Sequence, residues 1–220
     1  MVTRYVTSGS PTKSKKMNLT TATLKWFDDG CCDVKYLDLW QDVPVNYESG
    51  QATDERWCSD HHETVIATDA SGKLFRYAVD LLMTYQFYPP DLMSCTSDFS
   101  LEQRWLRVGD RIVQRIHLFY LFGRPVIDAV GMTEVSAVVM KPDRYGFTYV
   151  TVATHAAEGK WSTQVARQAN GDVVLTLDAI SRPVPEEPAR NHAFIRSFQR
   201  TAHQRGISHF KQAVNAVALA

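Results

Sequence analysis

The amphipathic segment that closes the chain constrains the fold more than any other feature. From about Pro188 to Val217, apolar residues recur every three or four positions and so share one face of a helix. Burying Phe194, Phe198 and Phe210 on that face is worth about 1.5 to 3 kcal/mol each when the burial is complete. The sequence therefore predicts a long C-terminal helix that covers one face of a sheet.

Five strand-like runs precede this helix and predict an antiparallel sheet. Asn170-Gly171 divides the last two runs and is the clearest hairpin turn in the chain. Gly and Pro-Asp pairs separate the other runs. The predicted strands are 111–122, 126–140, 146–155, 160–168 and 173–181.

A shorter helix and one more strand are predicted before these runs. The strand is the segment ETVIAT, which follows a polar loop from Glu48 to Asp60. Asp69 or Ser71 can cap a helix that continues to Phe87 and stops before Pro89 and Pro90. The fold class is α+β with a helix-grip arrangement, in which an antiparallel sheet wraps around a long C-terminal helix.

The N-terminal residues divide into a tail and an extension. Residues 1–18 are basic, rich in Ser and Thr, and without hydrophobic periodicity, which predicts a flexible tail. A transit segment is the alternative interpretation. Residues 19–45 are interpreted as an extension with a possible β-hairpin, because Asp28-Asp29-Gly30 separates two strand-like stretches. The main domain is placed at residues 46–217.

Composition favours a cytoplasmic protein of one main domain. The 220 residues are enough to bury a core without metal or disulfide staples. The longest apolar runs, such as 118–122, are far shorter than the roughly 20 residues of a membrane span. Cys31 and Cys32 are adjacent and fit reduced thiols better than a disulfide framework.

Charge is balanced overall but unevenly distributed. Residues 1–27 and 188–220 each carry five basic residues and no acidic residue, so acidic residues are concentrated between them. Nucleic acid or an anionic membrane surface could use such basic ends. We favour a simpler interpretation, in which a basic helix packs across an acidic sheet, and predict no nucleic-acid partner.

Several motifs, taken in order, resemble the family called domain of unknown function DUF1990. They are Asn46-Tyr47 with GQAT, SGKLFRYAVDLL, YGFTYVTVATHAAEGKW, DAISRP and SFQRTAHQR. This family is similar to the START-like, or Bet v 1-like (SRPBCC), superfamily, so the resemblance implies a cavity for an apolar ligand between sheet and helix. The sequence departs from the family pattern at Lys160 and at Ala156-Ala157. These departures weaken the hypothesis that a pair of acidic residues acts in catalysis.

The candidate site residues lie mainly on the strand that approaches His155. Side chains two apart on a strand share a face, and that face leads to the candidate catalytic pair His155 and Glu158. The alternative is that this pair only stabilises a turn. Residues proposed to bind a ligand are Tyr145, Phe147, Tyr149, Thr151, Trp161, Arg182 and Gln199.

Arg182 and the segment CSDHHE each have more than one interpretation. Arg182 could bind a ligand carboxylate or phosphate, or pair with Asp178 or Glu186. The segment CSDHHE could place Cys58, His61 and His62 around a metal ion, together with Cys31 or Cys32. Its spacing is not that of a zinc motif, so no metal and no cofactor are predicted.

Three classes of function remain. The first is the binding of a small hydrophobic or amphipathic molecule in an internal cavity. The second is an enzyme, such as a cyclase, dehydratase or hydrolase, that uses the same cavity for acid-base chemistry. The third is a structural or partner-binding protein. An open cavity would separate the first two classes from the third.

Overall fold

An antiparallel sheet of eight strands is the frame of the computed structural model, which describes residues 23–28, 33–52 and 54–216. The strands are β1 (Thr23–Trp26), β2 (Cys58–Thr68), β3 (Met93–Ser97), β4 (Arg111–Leu121), β5 (Arg124–Lys141), β6 (Arg144–Thr151), β7 (Ala157–Arg167) and β8 (Asp172–Pro183). The helices of the described part are α1 (Val34–Leu39), α2 (Lys73–Met83), α3 (Asp98–Leu101) and α4 (Ala189–Ala216). The predicted α+β class, with an antiparallel sheet and a long C-terminal helix, is confirmed.

The strands follow the order β2-β8-β7-β6-β5-β4-β3, and β1 pairs with β5 outside this path. The long strand β5 can pair with both β1 and β6 because each of them occupies a different half of it. Residues 133–141 pair with β6, whereas residues 127–130 pair with β1. The predicted hairpin at Asn170-Gly171 joins β7 to β8, and Gly171 takes the positive φ of 87° that this turn requires.

Helices cover both faces of the sheet. The main core lies between the sheet and helices α2 and α4, with Phe87, Phe210 and Leu177 among its fully buried side chains. On the opposite face, Tyr36 and Trp40 of the α1 segment pack against a second cluster that includes Val113, Val130, Met132 and Val152. Strand β4 contributes to both cores because its side chains alternate between the faces.

A buried ion-pair network ties the α1 segment to the sheet. Arg115 of β4 donates to both carboxylate oxygens of Asp33, at 2.6 and 2.7 Å, and to Asp128 at 2.8 Å. The Arg115 side chain is 3% exposed. Removing one partner from such a pair typically costs about 3 to 5 kcal/mol, because a buried charge is left without compensation.

The prediction of an N-terminal hairpin is wrong. Its second strand is helix α1, and β1 finds its partner in β5. Tyr36, Leu37 and Trp40 have the spacing of one helical face, and this spacing outweighs their aromatic, strand-like character. The turn residues Asp29 and Gly30, the predicted tail and Val217 lie outside the described residues.

Two predicted boundaries also move. Strand β2 begins at Cys58, inside the segment interpreted as a loop. Helix α2 ends at Met83, before the prolines that were expected to stop it, because Tyr85 adopts a left-handed backbone with φ of 63°. The predicted caps of α2, Asp69 and Ser71, are wrong, because Gly72 takes the N-cap position with a φ of 75° and has no side-chain cap. The carboxylate of Asp69 nevertheless accepts hydrogen bonds from the backbone N–H groups of Ser71 and Leu74 at the start of the helix.

Gly206 lets α4 approach the core closely. A Cβ atom at this position would lie 2.3 Å from Cε1 of Phe87. Phe87 belongs to the segment that connects α2 to β3, and its ring is fully buried. The glycine costs the helix about 1 kcal/mol of intrinsic propensity relative to alanine. Glycine is therefore favoured at position 206 by the close packing against Phe87, despite its low helix propensity.

Gly206→Ala is expected to lower the free energy of unfolding, because overpacking costs roughly 1 to 3 kcal/mol and exceeds the propensity gain. Urea unfolding followed by circular dichroism measures the change. Ser208→Ala, at an exposed position of the same helix, is the control and should stabilise by a few tenths of a kcal/mol. A Gly206→Ala variant as stable as the control variant would contradict the packing argument.

Candidate functional site

An open cleft lies between the first half of α4 and the sheet. Its larger part, the outer lobe, has a volume of about 670 Å³. A narrower part, the inner lobe, has a volume of about 90 Å³. The two lobes share five lining residues and so form one cleft: Ile116, His155, Ala157, Phe198 and Gln199.

The cleft opens because α4 does not hold the sheet equally along its length. In its second half Phe210 and Val214 are fully buried. In its first half Phe194 is 55% exposed and Phe198 is only half-buried, and both side chains line the outer lobe. The expectation that all three phenylalanines are buried is therefore wrong, since Phe194 belongs to the mouth of the cleft.

The outer lobe is mainly apolar. Leu24 of β1 and Leu118 and Ala129 of the β4–β5 hairpin form one side, and Phe194 and Ile195 of α4 form the other. Glu187 and Asn191 also contribute to the lining, where α4 begins. A concave apolar surface with a few polar groups is the usual environment of a small-molecule site.

The inner lobe is also mainly apolar, but several hydrogen-bonding groups line it. Tyr88, Gln114 and Tyr149 line it, and the Nε2 of Gln114 donates to the hydroxyl of Tyr85 at 2.6 Å. Burial raises the pKa of the Tyr149 hydroxyl, while hydrogen bonds with Gln114, Tyr85 and Tyr88 oppose the shift. The phenols thus stay neutral at physiological pH and act as hydrogen-bonding groups.

Trp161 adds an unused donor to the inner lobe. Its ring stacks on Tyr149 with centroids 5.1 Å apart, and its side chain is almost fully buried. The Nε1–H group is buried and has no hydrogen-bond acceptor among the described residues. A buried donor without an acceptor costs roughly 1 to 3 kcal/mol, which a bound polar group could recover.

The turn from β6 to β7 forms the wall between the two lobes. Strand β6 ends at Thr151, four residues before the predicted end, and Val152 beyond it forms an isolated bridge with Val45. The hydroxyl of Thr151 fixes the turn by accepting the N–H of Gly159 at 2.8 Å and donating to Asn46 Oδ1 at 2.5 Å. His155 therefore belongs to a turn, and its position follows from these bonds rather than from strand alternation.

His155 lines both lobes, and its ring contacts backbone on two sides. The N–H of Ala157 donates to its Nδ1 at 3.1 Å, and the carbonyl oxygen of Ala157 is equally close. Gly131 of β5 lies against the ring, since a Cβ there would be 3.0 Å from Cδ2 of His155. Burial lowers the pKa of His155 to about 4, so the imidazole is neutral at physiological pH.

Glu158 turns away from His155 and pairs with Arg182. The Nε of Arg182 donates to a carboxylate oxygen of Glu158, and its guanidinium lies 4.6 Å from the ring centroid of Trp57. A second carboxylate, that of Asp54, lies 3.7 Å from Arg182. The partners considered from sequence, Asp178 and Glu186, are thus replaced by Glu158 and Asp54.

The remaining predicted ligand-binding residues divide into two groups. Tyr149, Thr151, Trp161 and Gln199 line the inner lobe. Tyr145 and Phe147 instead pack in the core, with Tyr145 against Phe75 and Trp105, and Phe147 against Tyr85 and Trp161. The alternation of β6 was interpreted correctly, but the cleft reaches only its last residues.

The residues of CSDHHE belong to strand β2 and face two ways. His61 projects to the solvent side and pairs with Asp178 at 2.7 Å, whereas His62 lies on the side of α4. Strand alternation therefore prevents the two histidines from acting together. Cys31 and Cys32, the other ligands considered, lie outside the described residues.

Sequence reasoning missed Tyr88, Gln114 and Ile116. Tyr88 lies between the predicted end of the helix at Phe87 and two prolines, and the sequence pattern indicates no role for it. The only sequence signal of Gln114 is that it is a polar residue within the apolar alternation of β4. The structure shows that this amide is 1% exposed, and a buried amide needs a hydrogen-bond partner.

Comparison with known proteins places the chain in a family. Residues 44–209 match the model of "Domain of unknown function (DUF1990)", and the chain belongs to this family. No curated protein matches the chain. The chain is also similar to the 1.88 Å crystal structure of a hypothetical protein from Helicobacter pylori, with 14% identity, a TM-score of 0.44, and coverage of 76% of this chain and 94% of the other.

No helix within the described residues is long and apolar enough to cross a membrane. The most apolar surface of α4 faces the sheet and the cleft.

The neutral state of His155 predicts a pH dependence of stability. Between pH 6.5 and about 4 the unfolded chain binds a proton at this residue and the folded chain does not, so stability falls as pH falls through this window. One such group contributes at most about 1.4 kcal/mol per pH unit. His155→Gln removes this contribution, and urea unfolding at several pH values should show a shallower loss than in the wild type. Equal slopes would contradict the burial of a neutral imidazole.

Proposed function

We propose that this protein binds a small amphipathic molecule in the cleft between α4 and the sheet, as a START-like helix-grip domain. The single observation that carries the proposal is a cleft of suitable size with a mainly apolar lining. Its outer lobe of about 670 Å³ adjoins an inner lobe that is also mainly apolar and includes hydrogen-bonding groups. Pockets of roughly 300 to 1,000 Å³ with such a lining are typical of small-molecule sites.

The arrangement favours one orientation of the ligand. Its apolar body would lie between Phe194, Phe198 and Leu118, where burial stabilises binding by about 25 cal/mol per Å² of apolar surface. Its polar end would reach the inner lobe, where Trp161 offers an unused donor and Tyr149 a neutral hydroxyl. An oxygen that accepts hydrogen bonds is therefore the preferred polar group.

Acid-base catalysis receives less support from the geometry. A general base needs an orienting partner within hydrogen-bond reach. The carboxylate considered for this role, Glu158, is engaged with Arg182, and Nδ1 of His155 contacts the backbone of Ala157. His155 and Gln199 are accordingly assigned to ligand contact at the junction of the lobes.

Ala156→Trp tests the proposal by filling the cleft. Ala156 lines the outer lobe and is half-buried, so an indole ring there should displace the body of a ligand. Fluorescence titration with a dansylated fatty acid is the measurement. The wild type should bind one equivalent, and the variant should bind at least about tenfold more weakly, a loss of about 1.4 kcal/mol.

The matched control is Ala137→Trp, which places the same side chain at an exposed position of β5. It should leave the affinity for the probe unchanged. Equal weakening by both substitutions, or none by either, would show that the probe binds elsewhere and would overturn the proposal.

A further inference from the structure

A group of metal-binding side chains lies between β2 and α4, beside the inner lobe. Asp60 and His62 project from β2 toward the helix, and His203 projects from α4 toward the strand. One potential ligand atom from each residue lies within 4.8 Å of the others. The two imidazole rings stand 6.0 Å apart at 73° to each other.

His203 contributes to this group a buried polar atom that has no hydrogen-bond partner in the described part of the chain. Its side chain is 8% exposed, and its Nδ1 is buried without a hydrogen-bond partner among the described residues. The same atom lies 3.4 Å from Oδ2 of Asp60. Two ligands of one tetrahedral ion with bonds of about 2.0 to 2.2 Å are separated by roughly this distance.

We propose that Asp60, His62 and His203 bind a divalent transition-metal ion of the Zn²⁺ class. Two imidazole nitrogens and one carboxylate oxygen form a ligand set that suits Zn²⁺ and leaves one or two coordination positions open. The third ligand, His62, is half-buried, and its ligand atom lies within 4.8 Å of those of Asp60 and His203. This proposal does not depend on the ligand proposed for the cleft, although the two sites adjoin at His203.

Arg196 sets the strength of the site. Its guanidinium donates to both oxygens of Asp60, at 2.5 and 2.6 Å, and so holds the carboxylate in place. A carboxylate has about four acceptor positions, and Arg196 occupies two of them, so positions remain for a metal ion. The nearby positive charge weakens cation binding, and we expect micromolar rather than picomolar affinity.

His203 connects the proposed metal site with the cleft, because its side chain also lines the inner lobe. A bound ion would therefore lie at the wall of the cleft.

Isothermal titration of the full chain with ZnCl₂, after removal of metal with EDTA, tests the proposal. The wild type should bind one equivalent at this site, and His62→Ala should weaken that binding at least about tenfold. The matched control is His61→Ala. It removes the neighbouring imidazole, which also contacts a carboxylate but faces the other side of the strand, and it should leave the affinity unchanged.

His203→Ala should have the same effect as His62→Ala, and circular dichroism establishes whether each variant is folded. If His203→Ala unfolds, His62→Ala decides the question, because that side chain is only half-buried. Co²⁺ supplies a second measurement, since its visible absorption bands report imidazole and carboxylate ligation and should disappear in His62→Ala. Absence of a stoichiometric site, or a site that survives His62→Ala in folded protein, would overturn the proposal.

Discussion

The close contact between Gly206 of α4 and the ring of Phe87 is the constraint on which the rest of the structure depends. It brings the second half of the helix onto the core, where Phe210 and Val214 are fully buried. The first half of the helix continues in the same direction while the sheet ends in the turn around His155. The second half of the helix is therefore closely packed on the core, whereas the first half stands away from the sheet. The cleft is the space between this first half and the sheet.

Charged contacts hold the helix in this position. Arg196 pairs with Asp60, Arg205 pairs with Asp91, and Lys211 donates to the carbonyl oxygen of Val65. The pair with Asp91 is largely exposed and contributes little to stability. The partly buried pair with Asp60 matters more, because it fixes the helix beside the inner lobe. Of these three contacts, only the pair of Arg196 with Asp60 joins a basic residue of the helix to an acidic residue of the sheet.

Local pattern was sufficient for elements whose side chains repeat regularly. The apolar spacing of α4, the alternation in β4 to β8 and the turn at Asn170-Gly171 all predicted their elements. The prediction for the α1 segment was wrong because six helical residues give only a short pattern. The burial of this segment also depends on an ion pair between Asp33 and the distant residue Arg115. Such long-range contacts leave no local signature.

The candidate site was predicted only in part for the same reason. Tyr149, Thr151, Trp161 and Gln199 were found because they belong to motifs near His155. The pairing of Glu158 with Arg182 was not found, because it depends on the register between β7 and β8. His203 was not connected with Asp60 and His62, since 141 positions separate His203 from His62 and only the packing of α4 brings them together.

Native mass spectrometry tests the central claim, the binding of a small molecule in the cleft, most directly. The protein should be purified from the organism that produces it and its mass measured before and after acid denaturation. A second measurement follows incubation with the dansylated fatty acid. We expect a folded species heavier than the chain by the mass of one small organic molecule, which denaturation releases. A folded species with the mass of the chain alone, both as purified and after incubation, would contradict this claim.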